Sequence, residues 1–580
     1  MNIYKKDFSK VSSCAVISVT FFWNLLSFSN AQSPADDFAR RQAEQQKKQQ
    51  IDQLQRFTPN DLPQTQMQKV ELPKNGTCFE VTSIKIDGVT KLSDKTILNI
   101  TAPYRGKCVG LGDIQAIMKS LTNAYLDNGY VTSRIYIPEQ DIKNSHRLNF
   151  VVVEGKLSNF YMNDKEASPY DGVIMSAFPR MKDRVLNMRD VEQGLDQMNR
   201  LANNNAKSKM LPGKDDGSTI LNITNKTTKP WQMNISHDTL GQASTGYARY
   251  NVGLALDNIL QVNDLWNFSY QKTNKDYWHD NDTDGRSNNY SGSVSIPNGY
   301  WTLNFSGYNY KYHSFIEGNY GASRTSGDSS ELNGSASRVI HRDGNSITTL
   351  NLGLAYKETN NFLLGNKIEV GSRNYTVGNM GLSHSLQMLK GTWTFDLTYL
   401  QGLGIFGAVK KHEPGAGNAN PEFSKFTATI SAATPFKVAK QNFILSNLLV
   451  GQYAADNLFG AEQISLGSYS NVRGARESLI YGNRGFFSRN EILWRTVPWG
   501  NNSGLVKTLG EFRPYAGLDY GQVFAQAHYG FEDENLSSWT LGARLAGGHF
   551  TFDSGYSKII TTTVKQDKGS MAFVTVAINF

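Results

Sequence analysis

Trp393-Thr394-Phe395-Asp396-Leu397-Thr398-Tyr399 sets four large apolar side chains at alternate positions, with Thr, Asp and Thr between them. Successive side chains of a strand point to opposite faces, so this segment has one apolar and one polar face. The same period-two pattern runs on from Trp231. It recurs at Tyr250, Val252, Leu254 and Leu256, at Trp301, Leu303 and Phe305, and at Phe550, Phe552 and Tyr556. A soluble sandwich also alternates, but it seldom needs so long a run of strands with a polar inner face. Segments of about 9–11 residues with Tyr and Trp near their ends match a transmembrane β-barrel. About sixteen of them fit residues 229–580, an even, antiparallel count.

Connection lengths orient this wall. Pro297–Gly299, Arg342–Asn345, Lys390–Gly391 and Gly547–Gly548 are short, whereas His313–Asp328 and Gly402–Asn420 are long. Short turns belong to the periplasmic side and long loops outside. The last segment alternates Ala572, Val574, Val576, Ile578 and Phe580 against Phe573, Thr575, Ala577 and Asn579, and Phe580 reads as a barrel C-terminal signal.

Bulk properties agree. Mean hydropathy is −0.44 and 19% of residues are charged, values foreign to a helical membrane protein. Gly numbers 51 against 16 Pro, and 27 Tyr contribute to 11% aromatics, a balance suited to many strands with tight turns. The net charge is +8, but Lys and Arg are dispersed, so no nucleic-acid partner is expected.

The N-terminus reads as an export signal over residues 1–31. Lys5, Lys6 and Lys10 precede a largely apolar run, Val11–Phe28, and Ser29-Asn30-Ala31 is a cleavage site. A membrane anchor is the alternative, but Ser12, Ser13 and Asn24 interrupt the run. In an exported chain the isolated pair Cys78 and Cys108 reads as a disulfide, with no Cys-x-x-Cys or clustered His to suggest metal.

Residues 32–57 are Gln-rich and able to form a helix, with Asp36 or Asp37 placed to cap it. It lacks the apolar stripe of a core helix, so it belongs in water or in a polar lumen, or is disordered. Pro59, Pro63 and Pro73 make residues 58–77 an extended linker. Residues 78–155 then read strand (Phe79–Ile86), helix (Ser93–Ile100), helix (Leu111–Asn128), strand (Tyr130–Ile137) and strand (Arg147–Glu154). The order repeats over 156–228, with Lys156–Met162, Gly172–Phe178, Asn187–Leu201, Lys207–Leu211 and Ser218–Asn225.

This tandem β-α-α-β-β arrangement resembles a pair of polypeptide-transport-associated (POTRA) domains, anchored on Cys78-Phe79, Gly129–Ser133, Ile137–Gln140 and Val153-Glu154-Gly155. An edge strand of such a module offers unpaired backbone groups to an extended client. The stretch Tyr130, Val131, Thr132, Ser133, Arg134, Ile135, Tyr136 and Ile137 is the candidate client surface.

With signal, Gln-rich helix, two modules and barrel, the whole chain resembles the outer-membrane transporters of two-partner secretion, the haemolysin activation/secretion (TpsB) family. Val472-Arg473-Gly474 matches the family's lumen-inserted loop motif, between segments eleven and twelve, and Asp519-x-Gly521 matches the wall motif. The resemblance implies that Arg473 reaches Asp519 inside the barrel. It departs at Ala475 and Gly517, where relatives carry aromatics, which implies a more loosely packed loop.

The resemblance further implies export of a large TpsA exoprotein of haemolysin, adhesin or contact-inhibition type. The client is recognised by the POTRA modules and passed unfolded through a lumen that the Gln-rich helix plugs. The transporter is a monomer in outer-membrane lipid, inserted by the barrel-assembly machinery. An insertase-like protein or a simple porin is the alternative; the first usually carries more modules and the second carries none.

No enzyme is expected. Asp280-x-Asp282-x-Asp284-Gly285 begins like a calcium loop, but Ser291 stands where the bidentate Glu belongs. Gly327-Asp328-Ser329 has no partnered His, the nine His show no ligand spacing, and no Walker-type loop is present, so no cofactor or metal is implied.

Overall fold

The computed structural model describes residues 33–55, 78–168, 170–274, 285–318, 321–500, 502–563 and 569–580. The expected signal peptide, the expected linker and Asp280–Asp284 lie outside them.

Sixteen antiparallel strands close into a barrel, from Trp231–Asp238 to Ser570–Asn579. The last strand pairs back on the first, with Asn234 opposite Asn579 and Asp238 opposite Thr575. The alternation sorts as its period demands: Leu397 and Tyr399 are exposed on the outer face, while Thr394 and Asp396 are buried inside. Closure leaves no unpaired sheet edge in the hydrocarbon layer, where an unmatched amide costs several kcal/mol. Phe580 is tied to the first strand through reciprocal backbone bonds with Met233.

Two connections differ from expectation. His313–Asp328 is not a loop: the fifth strand (Trp301–Gly318) and the sixth (Gly321–Arg342) stay paired as far as Gly318 opposite Gly321. Ser, Thr and Gly there obscure the alternation, yet the ladder needs no apolar face beyond the bilayer. Conversely, one periplasmic connection is long. Thr496 to Gly510 joins the twelfth strand (Gly485–Arg495) to the thirteenth (Glu511–Val523) and carries a helix, Ser503–Leu509.

In the first module the expected opening strand breaks at Thr82. Phe79–Val81 pairs with a short strand, Lys107–Val109, beside the Cys78–Cys108 disulfide, whose Cα atoms are 5.3 Å apart. Ser83–Asp87 runs parallel to Arg147–Val153, which also pairs with Arg134–Tyr136. Of Tyr130–Ile137 only Arg134–Tyr136 forms strand, because the chain at Gly129 and Tyr130 is still closing the helix Leu111–Asp127. Gly129, at φ +85°, donates to Leu126 O, and Tyr130 donates to Tyr125 O, the paired bonds of a Schellman stop. The Tyr130 ring meets Tyr125 edge-on at 6.3 Å, the apolar contact that accompanies this stop.

Glu154 knits the first module together. Its carboxylate accepts from Thr90 N at 2.7 Å, Lys91 N at 2.9 Å, Tyr125 OH at 2.8 Å and the Thr90 hydroxyl. Burial works against the charge, but the Thr90, Tyr125 and Lys91 donors outweigh it and hold the carboxyl below its ordinary range. The second module has the sheet order Lys165–Glu166, Lys156–Met162, Ser218–Asn225, Ala206–Pro212.

The helix Met188–Asn199 of the second module docks on the barrel's periplasmic turns. Gln193 and Gln197 donate to Gly299 O at 3.1 and 2.8 Å, and Tyr300 OH donates to Asp190 at 2.7 Å. Arg342 pairs with Asp196 at 2.7 Å. The modules meet where Met188 N donates to Gly129 O at 2.8 Å.

A depressed carboxyl stabilises the fold above its unfolded value and loses that contribution as pH falls through the folded value. Stability of the first module is therefore expected to drop below about pH 4, starting from the unfolded Glu value. Glu154→Gln should flatten that drop and cost about 1–2 kcal/mol near neutrality, since the site stays partly solvated. Urea unfolding of the chain at pH 7 and pH 3, followed in the modules, measures both.

Candidate functional site: a lumen filled by a loop and a helix

Residues 455–484, between the eleventh strand (Gln441–Ala454) and the twelfth, fold back into the barrel. A small hairpin, Ile464–Leu466 with Ile480–Gly482, carries the Val472-Arg473-Gly474 tip. Val472 and Arg473 are 0% exposed. A guanidinium so far from water needs several charged partners, and the wall supplies them. Arg473 donates through Nε to Asp519 Oδ2 at 2.6 Å and through Nη2 to Oδ1 at 2.8 Å, a bidentate fork. Its own N–H also reaches Asp519, at 3.2 Å, and Nη1 pairs with Glu491.

The network continues around the wall. Arg544 bonds Glu491 Oε2 at 2.8 Å and Asp553 Oδ2 at 3.0 Å, and its guanidinium lies over the Tyr515 ring at 3.9 Å. Tyr515 OH and Tyr469 OH each donate to Asp553 at 3.0 Å. Arg489 holds the loop backbone through Tyr469 O and Ser470 O, both at 2.9 Å, and lies 3.5 Å from Glu491.

The two departures from the family pattern leave no gap. A Cβ on Gly517 would stand 2.5 Å from Arg473 Nη2, so glycine is what admits the guanidinium. On the other side of Asp519, a Cβ on Gly521 would stand 2.5 Å from Leu466 Cδ2. The wall therefore reads Gly517-Leu518-Asp519-Tyr520-Gly521: a carboxylate between two cleared inward positions. Ala475 is buried with Ile464, Leu466, Val472 and Ile480. The expected looseness is absent because the wall side chains are small where the loop is bulky.

The Gln-rich segment forms one helix, Pro34–Gln55, and its first turns lie inside the barrel. Ser33 caps it by accepting from Asp36 N at 3.1 Å, and Pro34 occupies the first turn, where its missing N–H costs nothing. Asp36 and Asp37 are thereby freed from the capping role expected of them. Asp36 pairs with Arg373 of the wall, and Asp37 pairs with Arg40, with Arg41 and with Gln242. Phe38 stacks on Tyr310 at 3.9 Å and meets Tyr308 edge-on at 5.5 Å. Lys47 pairs with Asp396, and Glu44 accepts from Ser470 of the inserted loop. Gln42, Gln45 and Gln46 face an open cavity of about 2790 Å³ that reaches the second module.

Of the predicted site residues, Val472, Arg473, Gly474, Asp519 and Gly521 converge in the lumen. Within Tyr130–Ile137, Arg134–Tyr136 is an edge strand with Tyr136 54% exposed, while Val131 faces the cavity. The sequence does not single out Glu491, Arg489, Arg544 and Asp553. The available signal is parity: each alternates with exposed apolar residues of its strand, Ile492 and Trp494, Leu541, or Ile560.

Comparison with known proteins places this geometry. The model for haemolysin secretion/activation proteins of the ShlB/FhaC/HecB type matches residues 217–545. The chain belongs to that family. A ShlB-type POTRA domain matches residues 79–155 and a further POTRA domain matches 156–212.

The chain is 32% identical to the outer membrane transporter CdiB of Dickeya dadantii over 86% of each chain. It is 27% identical to the haemolysin transporter protein HpmB of Proteus mirabilis over 88% of this chain and 86% of that one. The solved structure of CdiB from Escherichia coli superposes with a TM-score of 0.83 at 28% identity, covering 95% of this chain and 99% of that one. Like its family, the chain is an outer-membrane protein with periplasmic POTRA domains.

Gly517→Val should unseat the loop by displacing the guanidinium, and Arg473→Ala should strand Asp519 and Glu491 without their cation. Each is expected to lower the thermal transition of the detergent-solubilised barrel, the second by about 3–5 kcal/mol of stabilisation. Exchanging Arg473 and Asp519 should restore only part, since Glu491 then faces a carboxylate. Differential scanning calorimetry ranks the four proteins.

Proposed function

We propose that this chain is a two-partner secretion transporter that recognises one large exoprotein in the periplasm and passes it unfolded to the cell surface. The observation that carries this reading is an open strand edge of the second module on the cavity that leads into the barrel. Arg134–Tyr136 is an open edge of the first sheet, and Ala206–Pro212 is an open edge of the second. Lys207, Ser208, Lys209 and Met210 of that second edge line the cavity that opens into the barrel. An extended client pairs with edge backbone, which suits an unfolded polypeptide of varied sequence.

The client is of the contact-dependent inhibition or haemolysin type, by analogy with relatives named CdiB and HpmB. The helix Pro34–Gln55 acts as a plug, held by ion pairs to the wall and by one small aromatic cluster at Phe38. The protein works as a monomer, is inserted by the barrel-assembly machinery, and performs no chemistry on its client.

Deleting residues 78–154 should abolish export of the partner encoded with this chain while leaving a heat-modifiable barrel in the outer membrane; undiminished export would refute the reading. Deleting residues 33–55 should raise conductance in planar bilayers, and an unchanged conductance would remove the plug assignment alone.

A further inference from the structure

The inserted loop is held a second time, near its root and with the opposite polarity. The 3-10 turn Gly460–Glu462 lies just before the small hairpin, and the Glu462 carboxylate is buried, at 3% exposure. Its Oε1 accepts from Lys357 Nζ of the seventh strand (Ser346–Leu363) at 2.7 Å and from Tyr375 OH of the eighth (Arg373–Met388) at 3.1 Å. Its Oε2 accepts from Lys425 Nζ of the tenth strand (Ser424–Val438) at 2.5 Å. Its carbonyl oxygen accepts from Lys425 Nζ and from Gln452 Nε2, both at 3.0 Å. At the tip, a loop cation sits among wall carboxylates. At the root, a loop carboxylate sits among wall cations, drawn from strands that take no part in the Arg473 cluster.

The same turn bears the helix. Arg40 Nη1 donates to Gly460 O at 3.0 Å. Arg373, the partner of Asp36, lies over the Phe459 ring at 4.8 Å. The contacts of Asp36 and Arg40 therefore converge on Phe459–Glu462, which the Glu462 ion pairs tie to the wall beside the packing of Phe459 on Tyr375 at 4.7 Å.

We propose that Glu462 is a positioning residue of the gate: clamped by Lys357 and Lys425, it holds the Phe459–Glu462 turn as the seat of the Pro34–Gln55 helix. Loss of the clamp releases the helix while the Arg473 tip stays seated. The inference rests on the plug assignment above. Glutamine at 462 keeps the shape but leaves two buried ammonium groups around a neutral amide. Lys357 then turns to Glu331, 3.9 Å away, or toward water, and the seat loses its tether.

The test uses the full-length protein in planar bilayers, plus an Ala39→Cys reporter read with a membrane-impermeant maleimide. Ala39 is buried against the lumen, so it labels only when the helix leaves. Four proteins are compared: wild type, Glu462→Gln, Glu462→Asp and the 33–55 deletion, the last without the reporter. The deletion should raise conductance. Glu462→Gln should raise the open fraction and the labelling rate about tenfold, on the scale of a modest coupling energy. Glu462→Asp, which keeps the charge, should return most of the closed behaviour.

If the deletion opens the channel and Glu462→Gln behaves as wild type in both readouts, the clamp is overturned and the plug stands. If the deletion changes nothing, the plug assignment falls and the clamp with it. Should Glu462→Gln yield no heat-modifiable barrel, Lys425→Gln takes its place under the same criteria, and wild-type behaviour there overturns the clamp.

Discussion

A single guanidinium held away from water organises this lumen. Arg473 cannot be buried alone, because removing a charge from water costs several kcal/mol even after relaxation. Asp519 and Glu491 offset that cost for Arg473, and Arg544 and Arg489 in turn neutralise Glu491. Each member is tolerable only with the others in place. The loop position, the cleared wall at Gly517 and Gly521, and the apolar cluster around Val472 and Ala475 all follow from seating that one side chain.

The lumen is chemically divided as a result. Strands twelve to fifteen carry the Arg473 cluster, and strands seven, eight and ten carry the cations Lys357, Arg373 and Lys425 that meet the loop root and the helix. The opposite wall, where Asn267, Ser291, Asn304 and Ser335 border the cavity, presents neutral amides and hydroxyls. Between the two lies a helix with almost no apolar stripe, which would gain little by packing in an ordinary core. Its Asp36, Asp37 and Lys47 find wall partners, and Phe38 finds the inward Tyr308 and Tyr310. Ion pairs of this kind hold a rod in the channel without a continuous apolar core, and water entering behind a departing helix solvates the charges it leaves.

The barrel was legible because period two is a local property: each residue reports its own face, whichever strand it pairs with. The Arg473–Asp519 pairing was legible through resemblance. Glu491, Arg544 and Asp553 were not, since nothing local tells which inward charges will meet across a closed sheet. Tyr130–Ser133 has the residues of a strand but does not form one, because Gly129 and Tyr130 close a helix through bonds reaching back to Leu126 and Tyr125. The long turn after Arg495 and the extended ladder at His313–Asp328 escaped for a related reason. Hydropathy records the bilayer, and both segments lie beyond it.

By itself, the sequence determined the order of the described parts: polar helix, two modules and a wall of alternating strands with an arginine loop before the twelfth. Those readings rest on composition, periodicity and short spacings, which neighbours along the chain encode. Only the tertiary structure decided where the helix sits, which carboxylates share Arg473, and why glycine stands at 517. Each of those depends on strands distant in sequence converging on one dry volume. There the sum of charges and the room left by missing side chains set the outcome.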